Sequence, residues 1–118
     1  DLEHEIMPIP APKNGKRIIS FSLFGNNSKY IEPAVLNTQL APVLFPGWTC
    51  RFYVNDSVSA EAIQRFRNNG AEVIKVGAPL DNWPGTMWRF LAINDPEVEY
   101  VIFRDADSIR CRLYYLLS

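Results

Sequence analysis

YVIFRDADS, residues Tyr100 to Ser108, decides how the rest of the chain is read. Tyr100-Val101-Ile102-Phe103 suits a buried strand, because β-branched and aromatic residues fit a pleated, packed surface. It runs directly into Arg104-Asp105-Ala106-Asp107. In an extended strand residues i and i+2 share a face, so Asp105 and Asp107 would set two carboxylates side by side. They repel unless a cation sits between them. A hard divalent ion, Mn²⁺ or Mg²⁺, prefers oxygen ligands and often takes phosphate oxygens as well. The simpler reading is two solvated aspartates, capping the next turn or paired with Arg104. Placement in the chain separates the two readings, because spacing alone does not.

Working backwards, TMWRFLAIND reads as a helix begun by Thr86 and ended before Pro96. Met87, Phe90 and Leu91 have core spacing on it. Trp88 reads as core and Trp83 is left open, since an aromatic ring can also stack on a base or sugar. AEVIKV, Ala71 to Val76, is a strand. SAEAIQRFRNNG is a helix capped by Ser59, with Ala62, Ile63 and Phe66 inward and Asn69-Gly70 as its stop. TCRFYVNDS, Thr49 to Ser57, is a strand ending on Asn55-Asp56.

Before it, Tyr30, Ile31, Val35, Leu36, Leu40, Val43 and Leu44 repeat at helical spacing. Ser28 is the expected N-cap, and Pro42 is expected to kink or end that helix. Pro46-Gly47 closes it, and Trp48 plugs the helix–strand corner. RIISFSLFG, Arg17 to Gly25, reads as a strand buried on both faces. Residues 1–16, with Pro8, Pro10 and Pro12, read as a flexible polyproline-like arm excluded from any ladder, and His4 lies solvated in it.

The order β-α-β-α-β-α-β predicts an α/β fold. Residues 17–118 form one domain, a mostly parallel, Rossmann-like sheet of about four strands with helices on both faces. Ligands of such sheets bind beyond the carboxyl ends of the strands. Gly25-Asn26, Asn55-Asp56 and Asp105-Asp107 all fall there.

These residues carry a family resemblance. YVIFRDADS resembles the D-x-D region of GT-A-fold glycosyltransferases, the nucleotide-diphospho-sugar transferases. RIISFSLFG is similar to their first strand, LAPVLFPGWTCRFYVNDS to their helix and second strand, and WPGTMWRFLAINDPEVEYVIFRDADS to the helix and strand around the motif. The likeness spans about residues 17–108. It implies that Asp105 and Asp107 hold Mn²⁺ or Mg²⁺ and touch the ribose or diphosphate. It implies that Asn55 or Asp56 contacts the base or ribose, and that backbone around Ser22, Leu23, Phe24 and Gly25 lines the nucleotide slot. Arg89 would reach toward the diphosphate, where the plainer alternative is an exposed helix arginine in a surface ion pair.

The family continues well past its D-x-D, whereas this sequence ends eleven residues after Asp107, at IRCRLYYLLS. The expectation is therefore a donor-binding half without an acceptor half, with no catalytic residue assigned and no transfer by this chain alone. A different class of function is a nonenzymatic assembly module that self-associates. An unpaired fourth strand, or the apolar run Ile109 to Leu117, would support a homodimer. A haloacid-dehalogenase-type hydrolase also uses D-x-D at a strand end, but on its first strand.

Composition narrows the partners. The 118 residues hold twelve basic and thirteen acidic side chains, a net charge of −1, which gives no electrostatic reason to expect nucleic acid or anionic membrane. A 47% hydrophobic content supplies a core, yet no stretch has the roughly 20 apolar residues of a membrane span. Cys50 and Cys111 fit no metal-ligand spacing and suggest free thiols in a reducing, cytoplasmic setting. The N-terminus lacks the pattern of a signal peptide.

Overall fold

The computed structural model describes residues 6–8, 15–25 and 27–105. Asn26, Asp107, His4, Cys111 and the segment Ile109 to Leu117 lie outside the described residues. Strand β1 is Ile6–Pro8, β2 Lys16–Leu23, β3 Thr49–Val54, β4 Glu72–Lys75 and β5 Val98–Asp105. Helix α1 is Ser28–Leu44 and α2 Ala60–Asn68. The strands form one sheet in the order β1-β5-β2-β3-β4. β5, β2, β3 and β4 run parallel and β1 pairs antiparallel to β5. This is the expected α/β, Rossmann-like sheet.

Each face of the sheet carries its own core. On the α1/α2 face the rings of Phe21, Phe52 and Phe66 stack in series at 4.8 and 4.6 Å between centroids. Ile19, Val54 and Ile102 complete that layer. On the other face Ile18, Tyr53, Val98 and Val101 pack with Trp88 and Ala92. Burial on both sides explains why the central strands read as unbroken apolar runs. Each fully buried large side chain contributes about 1.5–3 kcal/mol relative to exposure.

Several local expectations need correction. Asn27, not Ser28, caps α1: its backbone is extended and its Oδ1 accepts from the Lys29 N–H at 2.9 Å, so Ser28 is already the first helical residue. Pro42 does not end α1, which runs to Leu44. On α1 Ile31 and Val35 are buried and Leu40 and Leu44 pack against the core as expected, but Tyr30 and Val43 are exposed, and Ala34, Asn37, Thr38 and Ala41 share the inward face. The α2 reading holds: Ser59 Oγ accepts from Ala62 N–H at 3.1 Å, and Ala62, Ile63 and Phe66 are buried.

The stretch read as a third α-helix is a 3-10 segment, Gly85–Asn94, preceded by a short 3-10 turn, Leu80–Asn82. Its buried residues are Trp88 and Ala92; Phe90 is half-buried against the Phe103 ring, while Met87 stands 45% exposed, so it is not a core residue. Trp88 donates from Nε1 to the Leu80 carbonyl at 3.0 Å, which ties the two 3-10 pieces together. Trp48 packs at the helix–strand corner against Phe45.

The proline-rich stretch also departs from expectation. Ile6, Met7 and Pro8 pair with Ile102, Val101 and Tyr100. Proline is tolerated here because β1 is an edge strand, where one side of the ladder needs no donor. The outer edge of β5, read as unpaired and free to associate, is thus covered over residues 100–102.

Candidate functional site

The parallel register gathers the carboxyl ends of three strands. Ser22 of β2 lies opposite Tyr53 of β3 and Asp105 of β5, and Leu23 lies opposite Val54. The residues at these strand ends therefore share one rim: Phe24 and Gly25, Asn55 and Asp56, and the backbone of Asp105. The rim lies at the β2/β5 junction, where chain order along the sheet reverses, and such switch points open a crevice in parallel sheets.

Two loops of the rim are joined through Ser57. The Gly25 N–H donates to Ser57 Oγ at 2.6 Å, and Ser57 Oγ–H donates to Asn55 Oδ1. Asn55 Oδ1 also accepts from the Ser57 N–H at 3.1 Å. Gly25 has φ +86°, a left-handed conformation that glycine adopts without a Cβ clash. The Asn55 side chain is thus engaged in shaping the rim. Asp56 is almost fully solvated, with Lys75 Nζ 3.9 Å from its carboxylate.

The side of the rim away from α1 and α2 is built by the 3-10 segment. Phe24 is 47% exposed and meets Trp88 edge-on at 5.9 Å. A Cβ on Gly85 would fall 2.5 Å from the Phe24 ring, so the glycine is what lets the ring lie there. Trp83, also about half exposed, belongs to the loop leading into this segment. Leu23 turns its side chain into the α-side core and can offer a ligand only its backbone.

Arg89 is not an exposed surface arginine. It is half-buried, its Nη1 donates to the Arg104 carbonyl at 3.3 Å, and its guanidinium lies 5.2 Å from the centre of the Phe90 ring. Arg104 is the residue before Asp105, so Arg89 reaches the carboxyl end of β5. Its main chain is bracketed by two serines. The Arg89 N–H donates to Ser22 Oγ at 2.7 Å, and Ser20 Oγ–H donates to the Arg89 carbonyl at 2.6 Å.

Of the expected site residues, the structure brings Ser22, Phe24, Gly25, Asn55, Asp56, Arg89 and the backbone of Asp105 to one rim. Asp107 lies outside the described residues. Sequence reading overlooked Ser57, Gly85 and Ser20. A signal for Ser20 was present: hydroxyls at i and i+2 in a strand buried on both faces must find partners.

A divalent ion is implied by the resemblance. Carboxylates at 105 and 107 are the oxygen donors a hard cation takes, so the donor chemistry fits. Among the described residues no group of three or more His, Cys, Asp or Glu side chains is placed to hold a metal.

A second concavity, about 210 Å³, opens at the amino ends of β3 and β4 and is lined by Thr38, Pro42, Trp48, Cys50, Asn69 and Ala71, among others. Burial pushes the Cys50 thiol up to about 12, which makes it an inert packing group rather than a nucleophile. No helix among the described residues is long and apolar enough to cross a membrane. Compared with known proteins, the chain matches no family model, and no curated protein matches it.

Proposed function

We propose that this domain binds a nucleotide-diphospho-sugar together with Mn²⁺ or Mg²⁺, as the donor side of a GT-A-type glycosyltransferase. The observation that carries the reading is the rim itself. Register aligns Ser22 with Asp105, and Arg89 is bonded to the carbonyl that precedes Asp105. A guanidinium reaching the strand end that carries Asp105 would suit a diphosphate, since arginine meets phosphate oxygens with charged, directional hydrogen bonds. Asp105 and Asp107 would hold the ion, which would neutralise the diphosphate as it leaves. The Gly25–Ser57–Asn55 linkage and the exposed Phe24 ring offer polar edges and an aromatic face for the nucleoside.

The test is calorimetric titration of UDP, then GDP, into the purified chain with Mn²⁺, repeated with EDTA and with Asp107→Ala. Saturable binding that needs the metal and is lost in the variant supports the reading. Absence of binding by either nucleotide overturns it.

A further inference from the structure

We infer that Ser20 and Ser22 are positioning residues for Arg89, and that this serine pair sets recognition of the diphosphate rather than of the nucleoside. The inference rests on the donor-site reading above and adds to it the device that holds the phosphate-facing side chain.

The two serines stand at i and i+2 of β2, on the face that packs against the 3-10 segment. Ser20 is fully buried and Ser22 half-buried. Between them they take both main-chain polar groups of one residue, Arg89, with one hydroxyl donating and the other accepting at 2.6 and 2.7 Å. An apolar residue at either place would leave an Arg89 main-chain group without that partner, at a cost that buried polar groups rarely bear. The partners are 69 and 67 residues apart in the chain, so the contact fixes the 3-10 segment against the strand in one register.

That register has a directional consequence. With its main chain fixed on β2, the Arg89 side chain spans to the carbonyl of Arg104 on the neighbouring strand β5. A small slide of the segment would withdraw the guanidinium from the strand end that carries Asp105. The rest of the segment has its own anchors: Trp88 is bonded to the Leu80 carbonyl, and Asp95 forms a 2.8 Å ion pair with Arg51. Loss of a serine hydroxyl should therefore loosen Arg89 locally while the segment stays docked.

The test compares UDP with uridine, and GDP with guanosine, in the presence of Mn²⁺, for the full chain and for Ser20→Ala, Ser22→Ala and Ser22→Thr. Each is also measured in an Arg89→Ala background, with melting curves to confirm folding. The expected result is that Ser22→Ala and Ser20→Ala weaken the diphosphate about tenfold or more while nucleoside affinity stays within about twofold. Ser22→Thr, which keeps the hydroxyl, should retain diphosphate affinity. The serine changes should cost nothing further once Arg89 is alanine, the mark of residues acting through one another. Equal losses for diphosphate and nucleoside, or an undiminished serine effect without Arg89, would overturn the inference while leaving the donor site standing. If the unaltered chain binds neither UDP nor GDP, the donor-site reading falls first and the serine role falls with it.

Discussion

Two arginines on the same face of the sheet are held in opposite ways. Arg51, near the amino end of β3, is 2% exposed and ringed by charge: Glu72 Oε1 lies 2.8 Å from its Nε and Nη2, and Asp95 Oδ2 lies 2.8 Å from its Nη1. Tyr53 Oη accepts from Nη1 at 3.2 Å, and Lys16 joins through Glu72 at 3.0 Å. Arg89, at the carboxyl end, has among its described contacts serine hydroxyls on its main chain and a carbonyl at its tip. Neutralising a guanidinium with two carboxylates cross-links elements. Here Arg51 ties β3 to β4 and to the end of the 3-10 segment. Fixing an arginine through its peptide group instead sets where its side chain points. Among the described contacts, charge cross-links elements at the amino half of the sheet, while serine hydroxyls fix the main chain of Arg89 toward the carboxyl rim.

The largest effect expected from this contrast is at Arg51. Replacing it with Met would strand Glu72 and Asp95 without their shared cation, and breaking a buried pair costs about 3–5 kcal/mol. Both carboxylates keep some access to water, which places the loss near the lower end. Chemical denaturation of Arg51→Met beside Arg89→Met would measure it. A comparable loss for Arg89→Met would erase the distinction between the two ends.

Gly85→Ala should come next. The added methyl must displace the Phe24 ring, and overpacking typically costs about 1–3 kcal/mol. Phe24 is half exposed and can swing outward, so about 1 kcal/mol is expected. Loss of the edge-on contact with Trp88 should change tryptophan fluorescence without unfolding. A cost near that of the Arg51 variant would mean that the rim is as rigid as the network.

Acid should weaken the Arg51 network. Burial acts to raise the Glu72 carboxyl, but hydrogen bonds from Lys16 and Arg51 outweigh it and hold it below its ordinary value. For Asp95 burial also acts upward, and the Glu97 N–H and Arg51 bring it down. A carboxyl lowered by folding contributes stability that is fully present above its unfolded value, about 4, and is lost as pH falls through the folded value. Denaturation midpoints should therefore be level from pH 7 to about 5 and drop below about 4, with a shallower drop in Arg51→Met. Identical profiles would remove Arg51 as the cause.

Much of this fold is legible along the chain because its signals are local. β-branched runs stop at Gly25, Asn55 and Gly77, and helical spacing ends at Gly47 and Gly70. The alternation of strand and helix then dictates parallel order. The features that escape the sequence are non-local. Pro8 pairs with Tyr100 only because β5 has an edge to offer. In the 3-10 segment Trp88 is core as read and Phe90 and Leu91 are partly buried, but helical spacing also turns Met87 inward, although it is exposed, and misses Ala92, because a 3-10 segment does not keep the 3.6-residue period. At the rim, chain order predicts which strand ends meet. It does not reveal that Ser20 and Ser22 share one distant residue, since their partners are main-chain atoms that carry no sequence signature.

The smallest expected effect tests whether ion pairs as such account for the stability of the amino half. Arg65 meets Glu32 with two hydrogen bonds, at 2.6 and 2.9 Å, joining α2 to α1. The geometry is as good as that of Arg51 with Glu72. The difference is water: both side chains of the surface pair are about half exposed, so solvent and salt screen the attraction, and ordering two long side chains offsets much of what remains. Glu32→Gln should leave the melting temperature within experimental error, at low and at moderate salt alike. A loss approaching that of Arg51→Met would show that bidentate geometry, rather than burial and a shared third partner, makes an arginine structural here. The contrast between Arg51 and Arg89 would then have to be drawn from hydrogen-bond count alone.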